Sequence, residues 1–119
     1  MATPVETVLE FIDRINLRDV DKLADLMTAD HVFVDSLGGI VQSLEKMRAG
    51  WRGYYALCPD YWISYEQTVL NGNTVAVFGA AGGTINGTAW RIPAAWLALV
   101  ENGLIKEWRV YADMAKSND

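Results

Sequence analysis

The sequence predicts an α+β fold in which three N-terminal helices pack on a curved antiparallel sheet, in the order α-α-β-α-β-β-β-β. Two observations carry that prediction. Through the first half of the chain, apolar residues recur at the spacing of amphipathic helices, and from Asp60 onward the period shortens to that of strands. In that second half, Asn-Gly dipeptides stand at 71–72, 86–87 and 102–103. Asn-Gly is the strongest short-range hairpin signal, because both residues accept positive φ in a tight turn.

Thr3-Pro4-Val5-Glu6 opens the first helix, with Thr3 as cap, Pro4 at the first helical position and Glu6 placed to return the capping bond. Val5, Val8, Leu9, Ile12 and Ile15 form its apolar stripe, which runs to about Leu17. Asp19 caps a shorter second helix that turns Val20, Leu23, Leu26 and Met27 inward and ends at Ala29-Asp30. His31 to Asp35 alternates as a short strand, closed by the flexible Ser36-Leu37-Gly38-Gly39. Ser43 opens a third helix with Leu44, Met47, Trp51, Tyr54 or Tyr55, and Cys58 on its stripe, and Pro59 stops it. The three Asn-Gly turns then join four long antiparallel strands into a meander.

Turn register assigns the sheet faces, because residues flanking a two-residue loop pair directly and the pairing extends outward. One face collects Tyr61, Ile63, Tyr65, Gln67, Ala76, Phe78, Ala80, Arg91, Pro93, Ala95, Leu97, Trp108, Val110 and Ala112, and this is the expected inner face beneath the helices. The opposite face carries Trp62, Val75, Val77, Gly79, Trp90, Ile92, Trp96 and Tyr111. A bulge near Gly82-Gly83 or Pro93 would exchange part of this assignment. Three helices cannot cover both faces, so an apolar outer face implies a homodimer through Trp90, Ile92, Trp96 and Tyr111. A curled sheet that hides its own outer face is the alternative.

Composition narrows the function classes. With 119 residues, 51% of them hydrophobic, the chain is expected to form one globular domain spanning 1–119 and to build its core without staples. One cysteine and one histidine furnish neither a disulfide nor a zinc site, so no metal is expected. Ten basic against fifteen acidic residues give a net charge of -5, with no basic cluster, which argues against nucleic acid. No basic leader precedes an apolar run and no stretch is long enough to span a bilayer, so the expectation is a cytoplasmic protein without membrane contact.

Asp19-Val20-Asp21 through Leu26, then Ala29-Asp30-His31-Val32-Phe33-Val34-Asp35, the helix from Ser43, and Ile105-Lys106-Glu107-Trp108-Arg109-Val110-Tyr111 form a familiar pattern. Over almost the whole chain it resembles the nuclear transport factor 2-like (cone-fold) superfamily, in its SnoaL-like polyketide cyclase and ketosteroid isomerase-like branch. The resemblance implies a cone-shaped homodimer with an internal pocket between helices and sheet. It also implies that Asp35 stands where ketosteroid isomerases have their general base. The other two positions depart from that family, since Phe11 falls at its oxyanion-hole tyrosine and Ala95 at its protonated aspartate. Val110, Gly79 and Ala81 likewise replace the water-activating set of limonene epoxide hydrolase.

Asp35 is therefore the candidate catalytic residue. A carboxylate facing an apolar cavity loses hydration and becomes a proton acceptor near neutral pH. The competing reading is a turn-starting aspartate hydrogen-bonded to its own loop. The expected ligand-binding residues are Phe11, Ile15, Trp51, Tyr55, Tyr65, Phe78, Arg91, Ala95, Trp108 and Val110. Tyr65 and Trp108 are placed to donate to a ligand carbonyl or to act as core aromatics. Arg91 is placed at a cavity rim, and His31 shares the parity of Phe33 and Asp35. Cys58 reads as a buried thiol. No glycine loop for a nucleotide is present, so the expected function is binding of a small hydrophobic molecule without cofactor. Proton-transfer catalysis by Asp35 is one outcome of that binding, and a non-catalytic ligand-binding or dimeric interaction module is the other.

Overall fold

The computed structural model describes residues 2–112. Its first helix, α1 (Pro4–Leu17), begins with the expected capping box: Thr3 Oγ1 accepts from the Glu6 amide at 3.1 Å, and Glu6 Oε1 accepts from the Thr3 amide at 2.9 Å. Val8, Phe11, Ile12 and Ile15 bury its apolar stripe completely or nearly so. Arg18 ends the helix in the left-handed region at φ 59°.

The second helix, α2 (Val20–Ala24), is shorter than the sequence suggested, because the chain turns at Asp25 and enters strand β1 (Met27–Val34) early. There the Leu26 carbonyl accepts from the Ile105 amide at 2.6 Å and Met27 pairs with Ile105, so strand pairing takes the backbone groups that a longer helix would have used. A short strand that the sequence reading missed, β2 (Ile40–Gln42), folds back on β1 as a hairpin. Helix α3 (Leu44–Leu57) follows, its Ser43 cap accepting from the Lys46 amide at 3.2 Å. The meander is as expected in number: β3 (Trp62–Asn71), β4 (Thr74–Ile85), β5 (Thr88–Glu101) and β6 (Leu104–Ala112).

The six strands form a curved, unclosed sheet in the order β2-β1-β6-β5-β4-β3. It is not wholly antiparallel: β1 runs parallel to β6. At Asn86-Gly87 the register is the expected one, with Phe78 opposite Ala95 and Ala80 opposite Pro93. Elsewhere it shifts. Asn71 pairs with Thr74, which makes Gly72-Asn73 the loop, and a bulge between Tyr65 and Gln67 sets Tyr65 opposite Gly79. A second irregularity between Leu99 and Val100 sets Ala98, rather than Leu97, opposite Trp108.

These shifts correct the face assignment, since a one-residue slip moves a side chain to the other side of a sheet. On β4 and β5 the core face carries Val75, Val77, Ala81, Ile92, Ala94, Trp96, Ala98 and Val100, all buried. Phe78 is 44% exposed on the opposite face. Trp108 keeps its inward position because the β5–β6 irregularity brings it into line with Ala98. Trp96 stacks on Trp108 at 6.4 Å, and Phe11 of α1 meets the Trp108 ring edge-on at 4.9 Å. Two glycines permit the bend: a Cβ at Gly79 would overlap the Ser64 carbonyl oxygen, and one at Gly83 would overlap the Cys58 sulfur.

Candidate functional site

Between α3 and the inner face of the sheet lies a cavity of about 590 Å³. The β1–β2 hairpin contributes Phe33, Asp35, Ser36 and Val41; α3 contributes Met47, Trp51 and Tyr54; Tyr61 precedes β3. The sheet supplies Ala81 and Ile85 from β4, Thr88, Trp90, Ile92 and Ala94 from β5, and Trp108, Val110 and Ala112 from β6. Among the described residues Asp35 is the one charged residue in this lining.

Of the residues expected at the site, the structure brings together Asp35, Trp51, Trp108 and Val110. The others lie elsewhere. Phe11 and Ile15 are fully buried behind the cavity in the α1 core. Tyr55 stacks on Trp51 at 5.4 Å, but its hydroxyl donates to the Ile15 carbonyl at 2.7 Å, which ties it to helix packing. Phe78 and Ala95 project from the opposite face, where Ala95 is half-buried, and Tyr65 is 43% exposed outside the cavity. Arg91 is exposed and stacks its guanidinium over the Trp62 ring at 5.6 Å, so it guards no rim. Conversely Trp90 and Ile92, expected on an outer dimer face, line the cavity, and Trp96 is 1% exposed in the core. Of that predicted patch only Tyr111 lies at the surface.

The lining residues missed include Tyr54, Tyr61, Thr88, Trp90 and Ile92, and for Trp90 and Ile92 a signal was present. From Trp90 to Val100 one parity reads Trp, Ile, Ala, Trp, Ala, Val without interruption, while the other begins with Arg91 and Pro93. The charge and the proline belong on the side that helices do not cover.

Asp35 unites the two readings that the sequence left open. Its Oδ1 accepts from the amides of Leu37 and Gly39, both at 2.8 Å, and its own amide donates to the Gly39 carbonyl at 2.9 Å. It is thus the turn residue of the β1–β2 hairpin and at the same time part of the cavity lining. The residue is exposed, so the loss of hydration expected of a carboxylate facing an apolar cavity is not found here. Tyr54 and Tyr61 face a different environment: burial pushes the Tyr54 hydroxyl up to about 12 and the Tyr61 hydroxyl higher still, so both stay protonated donors at neutral pH. The indole nitrogens of Trp51 and Trp90 are buried without a hydrogen-bond partner.

His31 lies outside the cavity lining, fully buried, with Nδ1 at 2.8 Å from the Ile105 carbonyl. A carbonyl only accepts, so Nδ1 carries the proton and Nε2 is left buried without a partner. Burial lowers the His31 pKa, which keeps the ring neutral. Among the described residues no group of three or more His, Cys, Asp or Glu is arranged to hold a metal ion, and no helix is long and apolar enough to cross a membrane.

Solved structures share this architecture. The epoxide hydrolase/cyclase-like enzyme SalBIII, of pyran ring formation in polyether salinomycin, aligns with a TM-score of 0.88 at 21% identity over 97% of this chain and 94% of its own. A protein with a ketosteroid isomerase-like fold from Catenulispora acidiphila, in complex with trimethylamine, aligns at 0.85 with 20% identity over 93% and 88%. A SnoaL-like polyketide cyclase-type protein from Jannaschia aligns at 0.81 with 21% identity over 94% and 86%. Among curated proteins no relative matches. The chain matches the SnoaL-like domain over residues 8–108, so it belongs to the SnoaL-like family of the nuclear transport factor 2-like superfamily.

Proposed function

We propose that the cavity receives a small, largely apolar molecule and that Asp35 serves as proton acceptor in a cofactor-free isomerisation, cyclisation or dehydration. The observation that carries this reading is a cavity of about 590 Å³, inside the range of small-molecule sites, with a carboxylate on its wall. Asp35 Oδ1 is held by two amides, which orients the carboxylate and leaves Oδ2 for the substrate. In the simplest sequence Oδ2 takes a proton from a carbon next to a carbonyl. The electron pair moves onto the carbonyl oxygen, and the same proton returns at another carbon. The protonated hydroxyls of Tyr54 and Tyr61 are the donors available for that oxygen, in place of the ketosteroid isomerase groups replaced by Phe11 and Ala95.

Asp35→Asn keeps the shape and removes the base. On a substrate found by screening carbonyl compounds with α-protons, it is expected to lower kcat by at least about 100-fold, the lower range for general-base contributions, with KM little changed. Full activity in that variant would leave Asp35 a hairpin residue and end its role as base, whereas a screen that finds no turnover, with ligand bound more tightly by Asp35→Asn, would make the protein a carrier. This second reading is favoured by the hydrogen bonds that already engage one carboxylate oxygen.

For assembly, a second copy of the chain is the occupant we assign to the outer sheet face. Phe78, Ala95 and Tyr111 are register neighbours across β4, β5 and β6, and Pro93 adjoins them, so exposed Phe78, Pro93 and Tyr111 with half-buried Ala95 form one apolar row. A two-fold axis through such a row covers both copies with the same residues.

A further inference from the structure

The cavity wall contains a feature that neutral apolar binding does not require. Tyr54 stands nearly perpendicular to both Trp51 (85°, 6.4 Å) and Tyr61 (87°, 5.0 Å), and Tyr61 stacks on Trp90 at 6.0 Å, so four aromatic rings form a continuous stretch of the lining. Among the described residues the lining holds no Lys, Arg or His, and Asp35 is its one charged side chain. Tyr54 and Tyr61 remain neutral at physiological pH and so add no charge. Ring faces carry negative electrostatic potential and attract ammonium groups, most strongly where water is excluded. An anion in the same place would meet a carboxylate without any countercharge.

We infer that the physiological ligand is an organic cation, a tertiary or quaternary ammonium compound with an apolar body, held by the ring faces of Trp51, Tyr54, Tyr61 and Trp90 with Asp35 as its countercharge. This rests on the proposed role of the cavity as a small-molecule site and names the charge of what fills it. The cavity volume of about 590 Å³ exceeds what a bare methylammonium needs, so the nitrogen is one end of a larger molecule. Asp35 then serves the ligand through its charge, whether or not it also moves a proton.

Three probes of the same shape test the inference on the unaltered protein. Benzyltrimethylammonium and neopentylbenzene differ only in the charged nitrogen against carbon, and benzylsulfonate supplies the anion. Binding is read by quenching of tryptophan fluorescence, which Trp51 and Trp90 report from the cavity wall, and by calorimetry. The cation is expected to bind at least about tenfold more tightly than the neutral isostere, and the sulfonate more weakly than either. Asp35→Asn and Tyr54→Leu are each expected to weaken the cation several-fold and to leave neopentylbenzene within about twofold. Equal affinity for the cation and its carbon isostere overturns the inference while leaving an apolar binding site intact. Tighter binding of the sulfonate overturns it as well. Failure of all three probes removes the site reading itself.

Discussion

His31 is enclosed on all sides, donates to the Ile105 carbonyl and leaves Nε2 without a partner. Desolvation lowers its pKa in the folded protein, against smaller opposing contributions from that carbonyl and from Asp30 and Glu107. The unfolded chain therefore binds the proton more readily than the folded one. The stability linked to this group is complete above the ordinary value of 6.5 and is lost as pH falls toward the lowered folded value. Urea unfolding is expected to show a lower midpoint at pH 5.5 than at pH 7.5, and His31→Gln is expected to flatten that difference. Asp60, held below the usual carboxylate range by hydrogen bonds from the Thr84 hydroxyl and amide, loses its contribution only at still lower pH. Asp35 is the residue at which the sequence could not decide, because a hairpin aspartate and a cavity aspartate have the same neighbours in the chain. The fold makes it both.

At the scale of elements, the bend where β3 crosses β4 depends on backbone approaching backbone. Gly79→Ala places a methyl group on the Ser64 carbonyl, a contact that no rotamer change relieves, so it is expected to cost about 1–3 kcal/mol in denaturant unfolding. The elements themselves were largely legible. The capping box at Thr3, the Ser43 cap and the Asn-Gly turns each reside in a few adjacent residues, and the helices and hairpins they mark are present. What escaped was anything set by a distant partner. The early start of β1 depends on Ile105, and β2 exists because the Asp35 turn returns the chain onto β1. The bulges after Tyr65 and beyond Leu99 carry no sequence mark of their own, yet together with the loop at Gly72-Asn73 they decide which neighbours each strand meets. Arg91 and Pro93 mark the outer face of β5, and Trp90 lies inward because the β3–β4 and β5–β6 irregularities break the register that the hairpins alone would impose.

For the whole molecule, the row through Phe78, Ala95 and Tyr111 sets the expected assembly. Sedimentation at micromolar concentration is expected to show a dimer. Phe78→Glu is expected to yield a folded monomer whose cavity still binds its ligand, because Phe78 lines none of that cavity. A wild-type monomer would leave the row as ordinary exposed surface. Trp96, expected on the dimer face, lies in the core, so Trp96→Glu is expected to unfold the chain rather than report on association.

The parallel seam between β1 and β6 has a kinetic consequence. The meander from β3 to β6 closes through three successive local hairpins, whereas the seam joins Leu26 to Ile105 and His31 to Ile105, residues more than seventy positions apart. Local hairpins form before long loops close, because the entropy of closure precedes the contacts that offset it. The N-terminal segment is therefore expected to dock late, on a sheet already assembled. The wall carrying Phe33, Asp35, Ser36 and Val41 belongs to that segment, so the cavity is expected to form only in the final step of folding. A ligand that needs the finished cavity then acts on the rate at which the protein unfolds, holding the seam shut, and leaves the rate of folding nearly untouched.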